Sequence, residues 1–423
     1  MKKQLMNYLE INKLLFKNQY GFREQMGTED AIFYLTNTVT TSLNKSNKVI
    51  ATFLDLKKAF DTVSHEKILY TLEKIGIRGV CYQIFVDYLS SREQLVKVNN
   101  ELSDPQFIEY GVPQGTVLGP ILFLIYLNTV LTSNLPGHLI SYADDTAFIV
   151  EGNTWQEARA KTEEGLAILK NNLDSNLLTL NLKKTNFLTF SCYKDTLPHF
   201  QEITIHKITC QPNCNECQSK INRVNEIKYL GIYIDQHLKW NKHVEMISKK
   251  LRCVIYKLKL ISKIVNRKLA KVFYYSLFQS ILTYGIIGWG GLYDNNLKPL
   301  YSLQKYAIKI IFNKALRFSS RVLFKEHKIL PVRFLFFKAT AIFCKKYPHL
   351  IPITNHDHPT RANKNNKYQT IRYRLTLIQR QTIYIGPKII NLIPEIQMLN
   401  LKNFKLKLKT YLVDKYEMFE KLL

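Results

Sequence analysis

The stretch "LISYADDTAFIV", Leu139 to Val150, sets two adjacent carboxylates, Asp144 and Asp145, between two apolar runs of strand-like composition. Side chains alternate along a strand, so Leu139, Ser141 and Ala143 would share one face, and Ile140, Tyr142 and Asp144 the other. With Phe148 to Val150 as a second run, the pattern predicts a β-hairpin carrying the Asp pair at its tip. Aspartate alone suits turns. Two free charges do not sit easily between buried flanks, so a cation or a shifted pKa belongs to the site.

A third carboxylate follows from the strand pattern upstream. "VIATFLD", from Val49, is apolar throughout, as in a strand buried on both faces, and ends on Asp55. Ser64 reads as the N-cap of a helix over "HEKILYTLEKIG", with Ile68, Leu69, Leu72 and Ile75 as its stripe and Gly76 closing it. A second helix is expected over "VCYQIFVDYLSS". "QLVKVNN" and "QFIEYG" then read as a hairpin around Asp104-Pro105. "GVPQGTVLGPILFLIYLN" opens as a glycine-rich turn and continues as a buried helix. If the Asp-Asp hairpin pairs beside the first strand, all three carboxylates meet at one sheet edge. Clustered hard oxygens suit Mg²⁺, which takes one or two carboxylates and completes its shell with water and phosphate oxygens. Two such ions roughly 3.5–4 Å apart clamp the attacking and leaving oxygens of a phosphoryl transfer. The residues therefore imply a metal site of polymerase or nuclease type.

Further along, a helix is expected from about Thr154 to Leu178 and a strand over "NFLTF". Between residues 191 and 225 the pattern gives way to polar, Cys-rich and Lys-rich sequence, read as an inserted loop. "IKYLGIYID", Ile227 to Asp235, resumes a strand pair. From Lys242 helical stripes dominate, with Val244, Ile247, Leu251, Val254, Ile255, Leu258 and Ile261 at helix spacing. Thr354 to Gln369 is polar and reads as a linker. The tail "LKNFKLKLKTYLVDKYEMFEKLL" reads as one basic amphipathic helix.

At 423 residues the chain should hold several domains, and 46% hydrophobic residues with 25 Tyr and 23 Phe exclude a disordered chain. A net charge of +27, read as an excess spread over the chain, favours a polyanionic partner, nucleic acid ahead of a membrane surface, with binding that weakens steeply in salt. Aromatic residues interleaved with lysine suit base stacking. Seven cysteines without a secretory leader read as reduced intracellular thiols. The longest uncharged apolar run, Val117 to Leu131, is too short to span a bilayer. His206, Cys210, Cys214 and Cys217 have the spacing H-x3-C-x3-C-x2-C, four donors that zinc accepts, but a separated second pair is missing. Zinc and a loop of free thiols both remain open there.

"FLDLKKAFDTVSH", "GVPQGTVLGPILFLIYLN" and "SYADDTAFIV", in this order and spacing, resemble the reverse transcriptase domain of non-LTR retrotransposons, the LINE-like, jockey-type elements. The similarity continues through "NLKKTNFLTF", "KYLGIYIDQHLKWNKHV" and "ILTYGIIGWGG" and covers nearly the whole chain. It implies an α+β right-hand polymerase palm, an antiparallel sheet packed on helices, with a helical thumb. Expected boundaries are partial fingers over 1–48, a palm over 49–240, a thumb-like domain over 241–350 and a linker with basic extension over 351–423. The resemblance implies that Asp55 and Asp144 ligate two Mg²⁺ ions, with Mn²⁺ as a substitute, that Asp145 is a further ligand, and that the Leu56 carbonyl completes one shell. Phe60 would lie under the incoming sugar and reject a 2′-hydroxyl; by itself it reads as core. Gln114 and Gly115 would meet the nascent base pair, Lys184 the triphosphate, and Arg23 phosphate or template. Tyr229, Leu230 and Gly231 would form the primer grip. The partners implied are an RNA template, a DNA primer and deoxynucleoside triphosphates, within the nucleus and cytoplasm. Because 18 residues precede "QYGFR", the resemblance also implies an N-terminally truncated member. The alternative is an inactive remnant that only binds nucleic acid. Oligomeric state is left open.

Overall fold

A computed structural model describes residues 1–90, 92–192, 197–206, 219–350, 368, 373–420 and 422. It divides into two units, Met1–Leu35 with Ser46–Leu230, and Thr36–Lys45 with Gly231–Leu423.

The first unit is built on a six-stranded sheet. Its order is His138–Tyr142, Asp145–Gly152, Lys48–Leu54, Asn186–Phe190, Lys220–Arg223 and Glu202–Thr204. Lys48–Leu54 lies at the centre, buried from Val49 onward as its unbroken apolar sequence requires. Both of its neighbours run antiparallel to it, and only the contact between Asn186–Phe190 and Lys220–Arg223 is parallel. One face of the sheet, including Ile50, Leu54, Phe148 and Phe187, joins a core with Ile68, Leu72, Ile121, Leu122 and Leu166 from the covering helices. Among these, Gly119–Leu131 is buried nearly throughout and carries Pro120 in its first turn, where the missing N–H costs nothing. Ser64 and Thr154 cap His65–Lys74 and Trp155–Ser175, each side chain accepting a backbone N–H from the first turn.

Two local expectations are corrected. The hairpin after the second helix turns at Asn99-Asn100, not at Asp104-Pro105; Lys97–Val98 pairs with Glu101–Leu102, and Glu93–Gln94 with Gln106–Phe107. Both asparagines have positive φ, 46° and 72°, which Asn tolerates better than other chiral residues. The supposed insertion at 191–225 is also not wholly loop, because Glu202–Thr204 and Lys220–Arg223 extend the sheet. The sheet then ends and Glu226–Tyr229 and Ile232–Asp235 follow as short strands.

The second unit is helical. Asn241–Ile264 buries Val244, Ile247, Leu251, Val254, Ile255 and Leu258, the expected stripe. Arg267–Phe273 continues through a π-helical stretch, Tyr274–Gln279, into Ser280–Thr283. Asp294–Ile311, Val332–Lys346, Thr382–Asn391 and Leu401–Asp414 complete the main helices. The buried Gln304 amide is satisfied on both sides: Nε2 donates to Tyr274 Oη and the Leu330 carbonyl, and Oε1 accepts from the Val332 N–H, each at 2.9 Å. The tail is two helices, since Tyr416–Glu420 is separate from Leu401–Asp414. Of the expected polar linker, only Tyr368 is described. Among the described residues no helix is long and apolar enough to cross a membrane.

Candidate active site

The register fixes where the carboxylates meet. Leu54 lies opposite Thr146 and Phe53 opposite Ala147, so the next step outward brings Asp55 level with Asp145, on the same face of the sheet. In the neighbouring hairpin Tyr142 pairs with Asp145, leaving a two-residue loop of Ala143 and Asp144. Ala143 has φ 57°, a conformation that normally costs an L-residue about 1 kcal/mol. The loop is held by Ser141 Oγ, which donates to the Ala143 carbonyl at 2.8 Å, with Thr146 Oγ1 in turn donating to Ser141 Oγ at 3.3 Å. Because Ala143 leaves the strand, Asp144 does not share a face with Tyr142 as simple alternation predicts. Asp145 is solvent-accessible, yet its carboxyl is held above the ordinary range. Loss of hydration is the larger cause, followed by repulsion from Asp144 and then Asp55. Three acidic groups thus crowd one end of the sheet.

Asp55 is oriented from the "NLKKT" segment, which sequence reading credited only to Lys184. Asn181 Nδ2 donates to Asp55 Oδ2 at 2.8 Å, its backbone N–H donates to the Asp55 carbonyl at 2.8 Å, and Thr185 Oγ1 accepts the Asp55 N–H at 3.2 Å. Lys184 is exposed in the same turn. Leu56 bridges Leu180 through hydrogen bonds made by its neighbours, Asn181 N–H to Asp55 O and Lys57 N–H to Thr179 O. In such a non-hydrogen-bonded antiparallel pair the central residue's own N–H and C=O point away from the partner strand. The Leu56 carbonyl is therefore free of that ladder, as a metal ligand requires. Among the described residues no three His, Cys, Asp or Glu side chains form a ready-made ligand set. Asp55, Asp144 and Asp145 share this end of the sheet without forming such a set.

Two loops beside this edge are tied together. Gln114 Nε2 donates to Asp61 Oδ1 at 2.8 Å, Val112 N–H to the Phe60 carbonyl at 2.9 Å and Gly111 N–H to the Val63 carbonyl at 2.7 Å. His65 Nε2 lies 2.7 Å from the Gly111 carbonyl and donates to it, a tie that the sequence reading, which placed His65 only in the helix's first turn, did not foresee. Gly115 has φ 78° and open space around it. Phe60 is half-buried, stacked on Phe123 at 4.2 Å and met edge-on by Phe22 at 6.4 Å. Both readings of Phe60 are thus compatible: one ring face joins the core and part of the side chain stays accessible.

Arg23 is corrected. Its guanidinium makes a bidentate pair with Glu10, 2.7 Å on each arm, and donates to the Phe16 and Gln19 carbonyls. Only 7% of its side chain is exposed, so it clamps the N-terminal segment and is not presented to phosphate or template. That segment matters through its neighbours. Tyr20 N–H donates to the Ser141 carbonyl, Ser141 N–H donates to the Asn18 carbonyl, and a Cβ on Gly21 would lie 2.5 Å from the Ala143 nitrogen. Only glycine allows this approach to the Asp-bearing turn. Tyr229 is buried beside Phe53, with ring centroids 5.1 Å apart. Its hydroxyl is pushed well above its ordinary pKa by burial, then by Asp145 and Tyr20. Leu230 and Gly231 form the following two-residue turn, both at positive φ. Of the zinc candidates, His206 is half-buried, while Cys210, Cys214 and Cys217 lie outside the described residues.

The family described as "Reverse transcriptase (RNA-dependent DNA polymerase)" matches residues 1–234, more than half of the chain. The chain belongs to the reverse transcriptase family. This reverse transcriptase domain is 27% identical to the RNA-directed DNA polymerase from mobile element jockey of Drosophila funebris, over 71% of this chain and 30% of that protein. It is 26% identical to the transposon BS protein of Drosophila melanogaster, over 73% of this chain and 34% of that one. The chain thus spans about a third of the length of the curated relatives it matches. The apo telomerase of Candida tropicalis aligns with a TM-score of 0.43 at 12% identity, covering 100% of this chain and 60% of that one. The resemblance to non-LTR enzymes holds, and divalent metals are general to the reverse transcriptase family.

Proposed function

We propose that this reverse transcriptase domain extends a DNA primer on an RNA template, joining deoxynucleoside triphosphates at the carboxylate edge of its sheet. The observation that carries the reading is the register placing Asp55 level with Asp145, with Asp144 in the adjoining turn. Asp55, Asp144 and the Leu56 carbonyl, with Asp145 beside them, would hold two Mg²⁺ ions, for which Mn²⁺ substitutes; when bound, these neutralise phosphate charge and acidify the primer hydroxyl. Asn181 keeps the Asp55 carboxylate aimed at the edge. Phe60, fixed against Phe123, limits space at the 2′ position of the sugar. Gln114 and Gly115 border the base pair, with Gln114 braced by Asp61. Lys184 meets the departing pyrophosphate charge. Tyr229, Leu230 and Gly231 support the primer end.

Extension of oligo(dT) on poly(rA) with Mg²⁺, comparing the chain with an Asp144→Ala, Asp145→Ala variant, tests this. Extension by the parent that disappears in the variant supports the assignment. Equal extension by both removes these carboxylates from the chemistry, and binding of the hybrid with no extension by either identifies a non-catalytic nucleic-acid binder.

A further inference from the structure

The ribbon after the second helix is separate from the six-stranded sheet. Among the described residues Glu93–Gln94 pairs only with Gln106–Phe107, and Lys97–Val98 only with Glu101–Leu102. All four of these short strands are exposed throughout, so the ribbon has water on both faces. It is nevertheless apolar: Leu95, Val96, Val98, Leu102 and Phe107 are 51–72% exposed. A lone two-stranded ribbon is marginal in water, and three or more strands with an apolar face are needed for independent stability. Further strands therefore belong beside it.

The hydrogen bonds within the ribbon show which edge is open. Val96 N–H donates to Ser103 Oγ at 3.0 Å, the Val96 carbonyl accepts the Ser103 N–H at 2.9 Å, and the Arg92 carbonyl accepts the Ile108 N–H at 2.9 Å. Arg92, Gln94, Val96 and Val98 thus turn their backbone groups into the ribbon, and alternation turns those of Glu93, Leu95 and Lys97 outward. Among the described residues no strand pairs on that side. The other strand of the ribbon is interrupted by Asp104-Pro105, and proline has no N–H to offer a partner.

The open edge is complementary to itself. Run antiparallel about Leu95, "EQLVK" sets Leu95 against Leu95 of a second copy, and Glu93 of each copy against Lys97 of the other. Every one of these pairs brings two outward-turned residues face to face, so each exchanges both backbone hydrogen bonds. A slip of one residue would oppose outward groups to inward ones, and a slip of two would lose both charge pairs. The cross-strand pairs Lys97 with Leu102 and Glu93 with Phe107 put Leu95, Leu102 and Phe107 on one face. Joining two ribbons makes a four-stranded sheet on which these side chains form a shared apolar face.

We propose that the outer edge of residues 93–97 is a homodimer interface, at which two copies of this chain pair antiparallel about a two-fold axis through Leu95. Because the other edge of each ribbon is blocked, the assembly closes at two copies and does not propagate. The pairing uses no residue of the carboxylate edge.

The test is sedimentation equilibrium of the full chain, free of nucleic acid, across a concentration series. The parent should reach twice the monomer mass. Glu93→Lys and Lys97→Glu should each weaken dimerisation at least about tenfold, since like charges then face each other at both ends of the pairing. Mixed in equal amounts, the two single variants should regain parental association, because their reversed edges complement each other. Carrying both changes in one chain should restore it as well. Leu95→Pro removes an outward N–H and no bond of the ribbon, so it should give a monomer with unchanged thermal unfolding. A parent that stays monomeric, single variants that dimerise like the parent, or a mixture that associates no better than its components would each overturn the proposal.

Discussion

Gly21→Ala offers the sharpest test of how the Asp-bearing turn is held. An added Cβ would lie 2.5 Å from the Ala143 nitrogen, 3.1 Å from the Tyr142 carbonyl carbon and 3.3 Å from Ala143 Cα. Carbon contacts are comfortable at roughly 3.5–4.0 Å, so the two backbones must part by about 1 Å. Neither yields easily, because Tyr20 N–H to Ser141 O at 2.8 Å and Ser141 N–H to Asn18 O at 3.0 Å tie them on the near side. Overpacking of this kind costs about 1–3 kcal/mol. The turn that moves carries Asp144, and a displacement of about 1 Å in a catalytic group lowers rate on the order of 10²-fold. Gly79→Ala is the control: Gly79 has φ 61° and ψ −137°, a region almost confined to glycine, and nothing within 4 Å of an added Cβ, so it brings strain of about 1–3 kcal/mol without a collision. Both variants should lose similar stability in urea unfolding, but only Gly21→Ala should lose primer extension. Extension by Gly21→Ala equal to that of Gly79→Ala would refute the claim that this contact positions the turn.

Asn181→Ala should cut extension at least tenfold while costing only about 1 kcal/mol of stability, since one hydrogen bond to Asp55 is lost; unchanged extension would remove Asn181 from the site. Phe60→Val should raise ribonucleotide use relative to deoxyribonucleotide use, read as the ratio of kcat/KM values, and an unmoved ratio would leave Phe60 as core alone. Arg23→Lys should destabilise the chain by about 1–2 kcal/mol through the lost bidentate pair with Glu10, with no change in the salt dependence of hybrid binding; a flatter salt slope would return Arg23 to phosphate. Burial, then the nearby Lys250, pushes the His243 pKa down to about 4. The unfolded chain therefore takes up this proton first: the stability contribution is intact above about pH 6.5 and falls toward pH 4 at up to ~1.4 kcal/mol per pH unit. His243→Gln should flatten urea midpoint against pH in that window, and an unaltered slope would contradict it.

Periodicity made the elements legible where one rule governed them. The unbroken apolar run before Asp55 is a fully buried central strand, Ser64 caps its helix, and the stripe after Lys242 is a core-facing helix. What escaped sequence reading arose from contacts between distant segments. Asn181 is 126 positions from Asp55, and nothing in its neighbourhood marks it as an orienting group. Arg23 looked available for phosphate because its partner, Glu10, lies 13 positions away on another element and its exposure cannot be read from composition. The even spread expected of the positive excess is a misreading of the sequence itself: residues 1–230 carry 24 Lys and Arg against 24 Asp and Glu, and residues 231–423 carry 36 against 9.

The Ala143-Asp144 loop explains why alternation failed at the most informative place. Turn rules favour Gly, Asn or Asp at positive φ, yet here alanine takes that position. The strain persists because three separate supports fix it: the Ser141 hydroxyl on the Ala143 carbonyl, the Thr146 hydroxyl behind it, and the Gly21 backbone pressed against the Ala143 nitrogen. Once Ala143 leaves the strand, Asp144 is carried into the turn and Asp145 starts the next strand level with Asp55, so the same local strain that breaks the alternating pattern brings three carboxylates to one edge. Relaxing that strain by Ala143→Gly should therefore stabilise the chain and lower extension together, whereas stabilisation with full activity would mean the turn's shape is set by the strands alone.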